Sequence, residues 1–188
     1  MMNLKKNLAN AILFSILLLI IFPTLYVASL ESTVSHPGLN FSITWSDNSF
    51  QNWGYKSNSP VNGGISNENG PLRVFMNGSA SVDDIVAAQR TQDLPSELGS
   101  QEYLMVSIMA SSINVAARIV VWTSPQQPHV ILLKTYNDSD WHIEIVSLRF
   151  FDISGSIFMI ELSMQRLQTS SSNEWVLYKQ LSMADLEL

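Results

Sequence analysis

Residues 137–162 read NDSDWHIEIVSLRFFDISGSIFMIEL, and the folding of this stretch decides what kind of protein the chain is. Trp141, Ile143 and Ile145 alternate in it with His142 and Glu144. Side chains on a strand point alternately to opposite faces, so the three apolar residues share one face and the polar pair shares the other. This places His142 and Glu144 outward. Further on, Val146, Leu148 and Phe150 carry the apolar character on the opposite parity, which predicts a β-bulge near residues 146–147. Gly155 then makes a turn, and IFMIELSM (157–164) returns as a second strand with Phe158, Ile160, Leu162 and Met164 inward. A zinc site on the His142–Glu144 pair needs a third or fourth ligand, and neither His36 nor His129 brings a matching companion. The pair reads as sheet facing water.

The same alternation extends through the chain. Short apolar runs separated by Ser, Asn, Gly and Pro predict strands at 41–45, 72–76, 103–110, 116–122, 129–135, 141–148, 157–164 and 175–188, the last one broken. Residues 56–70 are too rich in Gly and Asn for an element and read as a long polar loop. Residues 81–94 carry both signals: Ser81 with Asp84 resembles a helix N-cap, while residues 85–88 suit a strand with two buried faces, and the strand is preferred.

The N-terminus has a different character. Lys5 and Lys6 precede a run without any charge from Asn7 to Leu30. This is an export signal. It is either a signal peptide cut after Ser29, with Pro23 behind the apolar run and Val27 and Ser29 as small residues two apart, or a retained anchor, since over 20 apolar residues span a bilayer. Both place the rest of the chain outside the cell, secreted or held at the surface by one N-terminal helix. The organisation is thus residues 1–29 as signal peptide or signal anchor, 30–40 as linker, and 41–188 as one domain.

The absence of cysteine excludes disulfides, thiolate metal sites and a lipid anchor on Cys. The formal charge is −6, and eight of the ten basic residues with all sixteen acidic ones follow the apolar run, a balance of −8. So acidic a domain does not suit nucleic acid. No Gly-x-Ser-x-Gly elbow, phosphate loop or Rossmann glycine spacing appears. Asp83, Asp84, Asp138, Asp140 and Glu161 are carboxylates without a spacing that pairs them for hydrolysis. Aromatic rings carry the functional signal instead, because they stack on sugar faces.

From about Ser46 onward the chain resembles the galactose-binding-like jelly roll of many carbohydrate-binding modules. The likeness lies in DNSFQNWGYKS (47–57), where Phe50 and Trp53 match the residues that pack the sandwich edge, in QEYLMVSIMASS (101–112) followed by AARIVVWTS (116–124), in residues 138–164, and in LSMADLEL (181–188) as the closing strand. The resemblance implies an all-β antiparallel jelly-roll β-sandwich, and the apolar run places one N-terminal hydrophobic helix before it. It implies an exported, non-catalytic domain that binds a glycan or another cell-surface ligand. Tyr55, Trp122, Tyr136 and Trp175 are the ring candidates, with Asn58, Asn62 and Asn67 as further hydroxyl contacts. It also implies a structural calcium, for which Asp185 fits the closing strand and Asp47 lies slightly late on the first. The alternative is a structural subunit of a surface filament, envelope layer or membrane complex, in which residues 157–164 pair through an exposed edge.

Overall fold

The computed structural model describes residues 40–58, 63–67, 70–96 and 102–187. The N-terminal apolar segment, its expected helix and Asn62 lie outside these residues. Eleven strands follow in order: β1 (Asn40–Asp47), β2 (Gly54–Ser57), β3 (Gly63–Ser66), β4 (Leu72–Met76), β5 (Ile85–Arg90), β6 (Glu102–Ala110), β7 (Val115–Ser124), β8 (Gln127–Lys134), β9 (His142–Ser147), β10 (Met159–Arg166) and β11 (Glu174–Glu187). A single 3-10 turn, Leu148–Phe151, separates β9 from β10. No helix among the described residues is long and apolar enough to cross a membrane.

All pairings are antiparallel and form two sheets. The first, sheet A, runs β3-β4-β11-β6-β9, with β1 beside the second half of β11; sheet B runs β2-β5-β10-β7-β8. β11 is the spine of sheet A. Its first half pairs with β4 and its second half with β1, while β6 follows it on the other side. The break foreseen in this strand is a bulge at Gln180, whose φ of 57° lets the strand bend between its two partners without ending.

The inward residues of each strand obey the period of two and meet in one core. Leu104, Val106 and Ile108 of β6 and Val176 and Tyr178 of β11 face Ala117, Ile119 and Val121 of β7 and Ile160, Leu162 and Met164 of β10. Polar anchors close the margins. Asp47 accepts from the Phe50 amide at 2.9 Å and the Trp53 indole at 2.8 Å, and pairs with Arg90. At the opposite end the fully buried Arg166 donates to the carbonyls of Asn77 and Ser170, both at 3.1 Å. Nearby, Glu174 gathers the hydroxyls of Ser111, Ser112 and Ser170 at 2.6, 2.9 and 3.1 Å.

Four sequence expectations are corrected. Residues 56–70 contribute β2 and β3, short strands whose order comes from their neighbours β5 and β4. The β6–β9 ladder runs without a register shift, so no bulge sits at 146–147. As a result His142, Glu144 and Val146 point inward, and Trp141, Ile143 and Ile145 point to solvent. Glu144 is held by the Lys134 ammonium and the Tyr136 hydroxyl, each at 3.0 Å, along the open side between the sheet margins β8 and β9. Residues 157–164 do not offer an edge, because β10 is the middle strand of sheet B.

Candidate functional site

The outer face of sheet B carries a built array of polar groups. Parity turns Gln89 of β5, Glu161 and Ser163 of β10, and Arg118, Val120 and Trp122 of β7 away from the core. Gln89 and Glu161 are cross-strand partners, and the Gln89 amide donates to Glu161 Oε2 at 2.8 Å. Arg118 reaches diagonally to Glu161 Oε1, and the Ser163 hydroxyl donates to the same oxygen at 3.2 Å. Glu161 is therefore fixed in position by neighbours on both sides.

Trp122 stands one step along β7 from Val120, the partner of Glu161, and is itself opposite Met159 and Pro128. The ring is thus a diagonal neighbour of Glu161, within reach of a long side chain or a small ligand. Its indole nitrogen is buried and has no hydrogen-bond partner among the described residues. Beyond Pro128 the surface falls into a polar depression of about 470 Å³ lined by Thr123, Gln126, Gln127, His129, Asp152 and Ser154. The short residues between the long ones, Ala87, Ala116, Val120 and Ser163, are buried although they point outward.

The four ring candidates from the sequence are not brought together. Trp122 belongs to this face. Tyr55 lies on the marginal strand β2 of the same sheet, half exposed, and Trp175 lies on the outer face of sheet A. Tyr136 is a correction: it is 3% exposed, packs in the core and donates its hydroxyl to Glu144. Burial and the Glu144 charge push its phenol well above the ordinary range. Asn58 and Asn67 are occupied structurally, Asn58 bridging to the Ile85 amide at 2.8 Å and Asn67 donating to the Phe50 carbonyl at 2.8 Å. The Gln89–Glu161–Arg118 array was missed, although the alternating signature of β10 in the sequence already put Glu161 on an outward face.

The two residues expected to share a calcium also lie apart. Asp47 pairs with Leu181 at one end of the β1–β11 ladder, and Asp185 pairs with Ser42 near the other. Both Asp47 oxygens are taken by Arg90, Trp53, Ser49 and the Phe50 amide. Asp185 Oδ1 is buried without a partner among the described residues, beside its cross-strand neighbour Glu102. Asp47 and Asp185 therefore do not make one site for an ion that takes six or more oxygens. Among the described residues no three His, Cys, Asp or Glu side chains group as metal ligands.

No protein-family model and no curated protein matches the sequence. Solved structures do. A family 29 carbohydrate-binding module superposes with a TM-score of 0.50 at 9% identity, over 78% of this chain and 88% of that one. A variant of such a module complexed with mannohexaose gives 0.50 at 9% identity, over 78% and 92%. The chain has the sandwich fold of a carbohydrate-binding module.

Proposed function

We propose that this chain is a non-catalytic carbohydrate-binding domain that acts outside the cell, secreted or held by its N-terminal apolar segment, and that the glycan lies on the outer face of sheet B. The observation that carries this reading is the braced Gln89–Glu161–Arg118 array with Trp122 diagonal to it. A pyranose ring stacked on the indole presents its hydroxyl edge toward Glu161, an acceptor, and toward Gln89 and Arg118, which donate. The array spans two strand spacings, about 10 Å, which is the length of two sugar units laid across the strands. Because the side chains already bond one another, little ordering cost remains when a ligand arrives.

Binding, rather than hydrolysis, suits the chemistry. Among the described strand residues Glu161 is the carboxylate on this face, and its oxygens are committed to Arg118, Ser163 and Gln89. Glycoside hydrolysis uses two carboxyl groups across the scissile bond, one of them protonated. The fold likeness to a module complexed with mannohexaose supports a hexose chain as the ligand class to try first.

The test is a glycan-array screen of the compact unit Pro37–Leu188 beside its Trp122→Ala and Glu161→Gln variants. Reproducible binding that both variants lose while keeping their far-ultraviolet spectrum supports the reading. Binding that survives both variants moves the site elsewhere, and no binding to any glycan overturns the function.

A further inference from the structure

The margins of the two sheets are not equally protected. Sandwiches blunt their free strands with short length, Pro, Lys, bulges or glycine, because unpaired backbone groups recruit another strand. Four of the five margins follow this rule. β2 is four residues long and carries Lys56; β3 is four residues long and begins Gly63-Gly64. β8 holds Pro128 and lies across two register shifts, and β1 bulges at Thr44. β9 is the exception. Its six residues, HIEIVS, contain no Pro, Gly, Lys or bulge, and among the described residues β6 is its one partner.

The side chains of β9 reinforce the contrast. Ile143 and Ile145 are 59% and 44% exposed, and Trp141 before them is 38% exposed. An inward charge can guard an edge, because a strand laid over it would bury the charge. Glu144 no longer serves this way. It is already buried and satisfied by Lys134 and Tyr136, so covering the edge desolvates little more.

We propose that two copies of this chain pair antiparallel through β9, centred on Ile143, and continue sheet A across a two-fold axis. The strand is complementary to itself in this register. On the outer face Ile143 meets the second copy's Ile143, and Trp141 meets the second copy's Ile145, twice by symmetry, an aromatic against a β-branched side chain. On the inner face His142, already bonded to Asp138 at 2.6 Å, lies opposite the second copy's Glu144, again twice, so no like charges meet. Shifting the register by two residues toward the C-terminus would instead place Glu144 opposite Glu144, so charge selects the centre. A lipid surface cannot occupy this edge, because it offers no hydrogen bonds to a row of backbone groups. The inference stands on β9 alone and is independent of the glycan reading.

The full chain has no cysteine, so disulfide trapping reads the contact directly. Directly opposed residues of an antiparallel pair have Cα atoms about 4.5–5.5 Å apart, within disulfide reach. Ile143→Cys is expected to give a covalent dimer on mild oxidation. Val130→Cys, on the margin strand β8 and 44% exposed, is expected to stay monomeric. Ile143→Lys, at an exposed position that tolerates it, should remove the dimer of residues 37–188 in sedimentation equilibrium. Equal trapping at both positions, which collision or the apolar N-terminus would produce, overturns the proposal. So does a wild-type domain that sediments as a monomer at every concentration, or an Ile143→Lys domain that still dimerises. Trapping at Glu144→Cys in place of Ile143→Cys overturns the register.

Discussion

Replacing Asp47 by alanine is expected to be among the most damaging single changes in the domain. The side chains of Asp47 and Arg90 are 4% and 10% exposed, so solvent screens their ion pair little. Removing the carboxylate leaves the guanidinium buried with two carbonyls, those of Gln51 and Gln92, as its remaining close acceptors besides the exposed Asp93. Breaking one side of a buried pair costs about 3–5 kcal/mol. The Trp53 indole and the Phe50 amide lose their acceptor as well. These losses overlap, and about 4 kcal/mol is the expected total. For a domain of this size that lowers Tm by about 8–16 °C. Urea unfolding followed by tryptophan fluorescence, on residues 37–188, measures it. Asp47→Leu combined with Arg90→Met removes both charges and should recover a good part of the loss. The pH dependence has a definite sign. Burial acts to raise the Asp47 carboxyl, but bonds from Trp53 and Phe50 and the Arg90 charge outweigh it and hold the group below its ordinary value. Its contribution is complete above the unfolded pKa, about 4, and is lost as pH falls through the lower folded value. Wild type and Asp47→Ala should therefore differ by a constant amount from pH 5 to 8 and converge in stronger acid. A loss under about 1 kcal/mol, or a double variant as weak as the sum of the singles, would refute the reasoning.

Other sites give sharper or smaller effects. Glu174→Ala strips the acceptor from the hydroxyls of Ser111, Ser112 and Ser170 and should cost about 2–3 kcal/mol in the same denaturation assay. Gly155→Ala should cost about 1 kcal/mol through its φ of +78° alone, since nothing lies near the added methyl. Gly78→Ala should cost more, because its Cβ would sit 2.1 Å from the Ser171 carbonyl oxygen. Tyr136→Phe should weaken folding by about 1 kcal/mol and leave glycan affinity unchanged, whereas Trp122→Ala should lower that affinity about tenfold in calorimetry.

Most strands were legible because their alternation is strong: Leu72–Met76 falls where the pattern put it, and β5 emerges from the ambiguous residues 81–94. β2 and β3 were not, since Gly54, Gly63 and Gly64 carry no pattern and pairing alone orders them. The opening stretch misled for a different reason. Apolar residues were assigned inward, but the outer face of sheet A is itself apolar, with Met105, Met109, Leu177 and Trp175 beside Ile143 and Ile145, so the rule picked the wrong side of β9. Of the site, Trp122 was visible as an aromatic at a strand end. Its polar neighbours were not, because Gln89, Arg118 and Glu161 lie on three strands far apart in sequence and meet only through the register of β10.

The double partnership of β11 also orders events in time. Every strand of sheet B precedes residue 167, so that sheet can assemble while the chain is still being made. Without β11, sheet A is two separate strand pairs, β3–β4 and β6–β9, and β1 has no partner among the described residues. Asn40 must wait for Glu187, and closing so long a loop is slow. Until the last strand arrives, the inner face of sheet B is left open to other chains. β11 is the strand that shuts the core, and a chain stopped before Glu174 is one that cannot be closed.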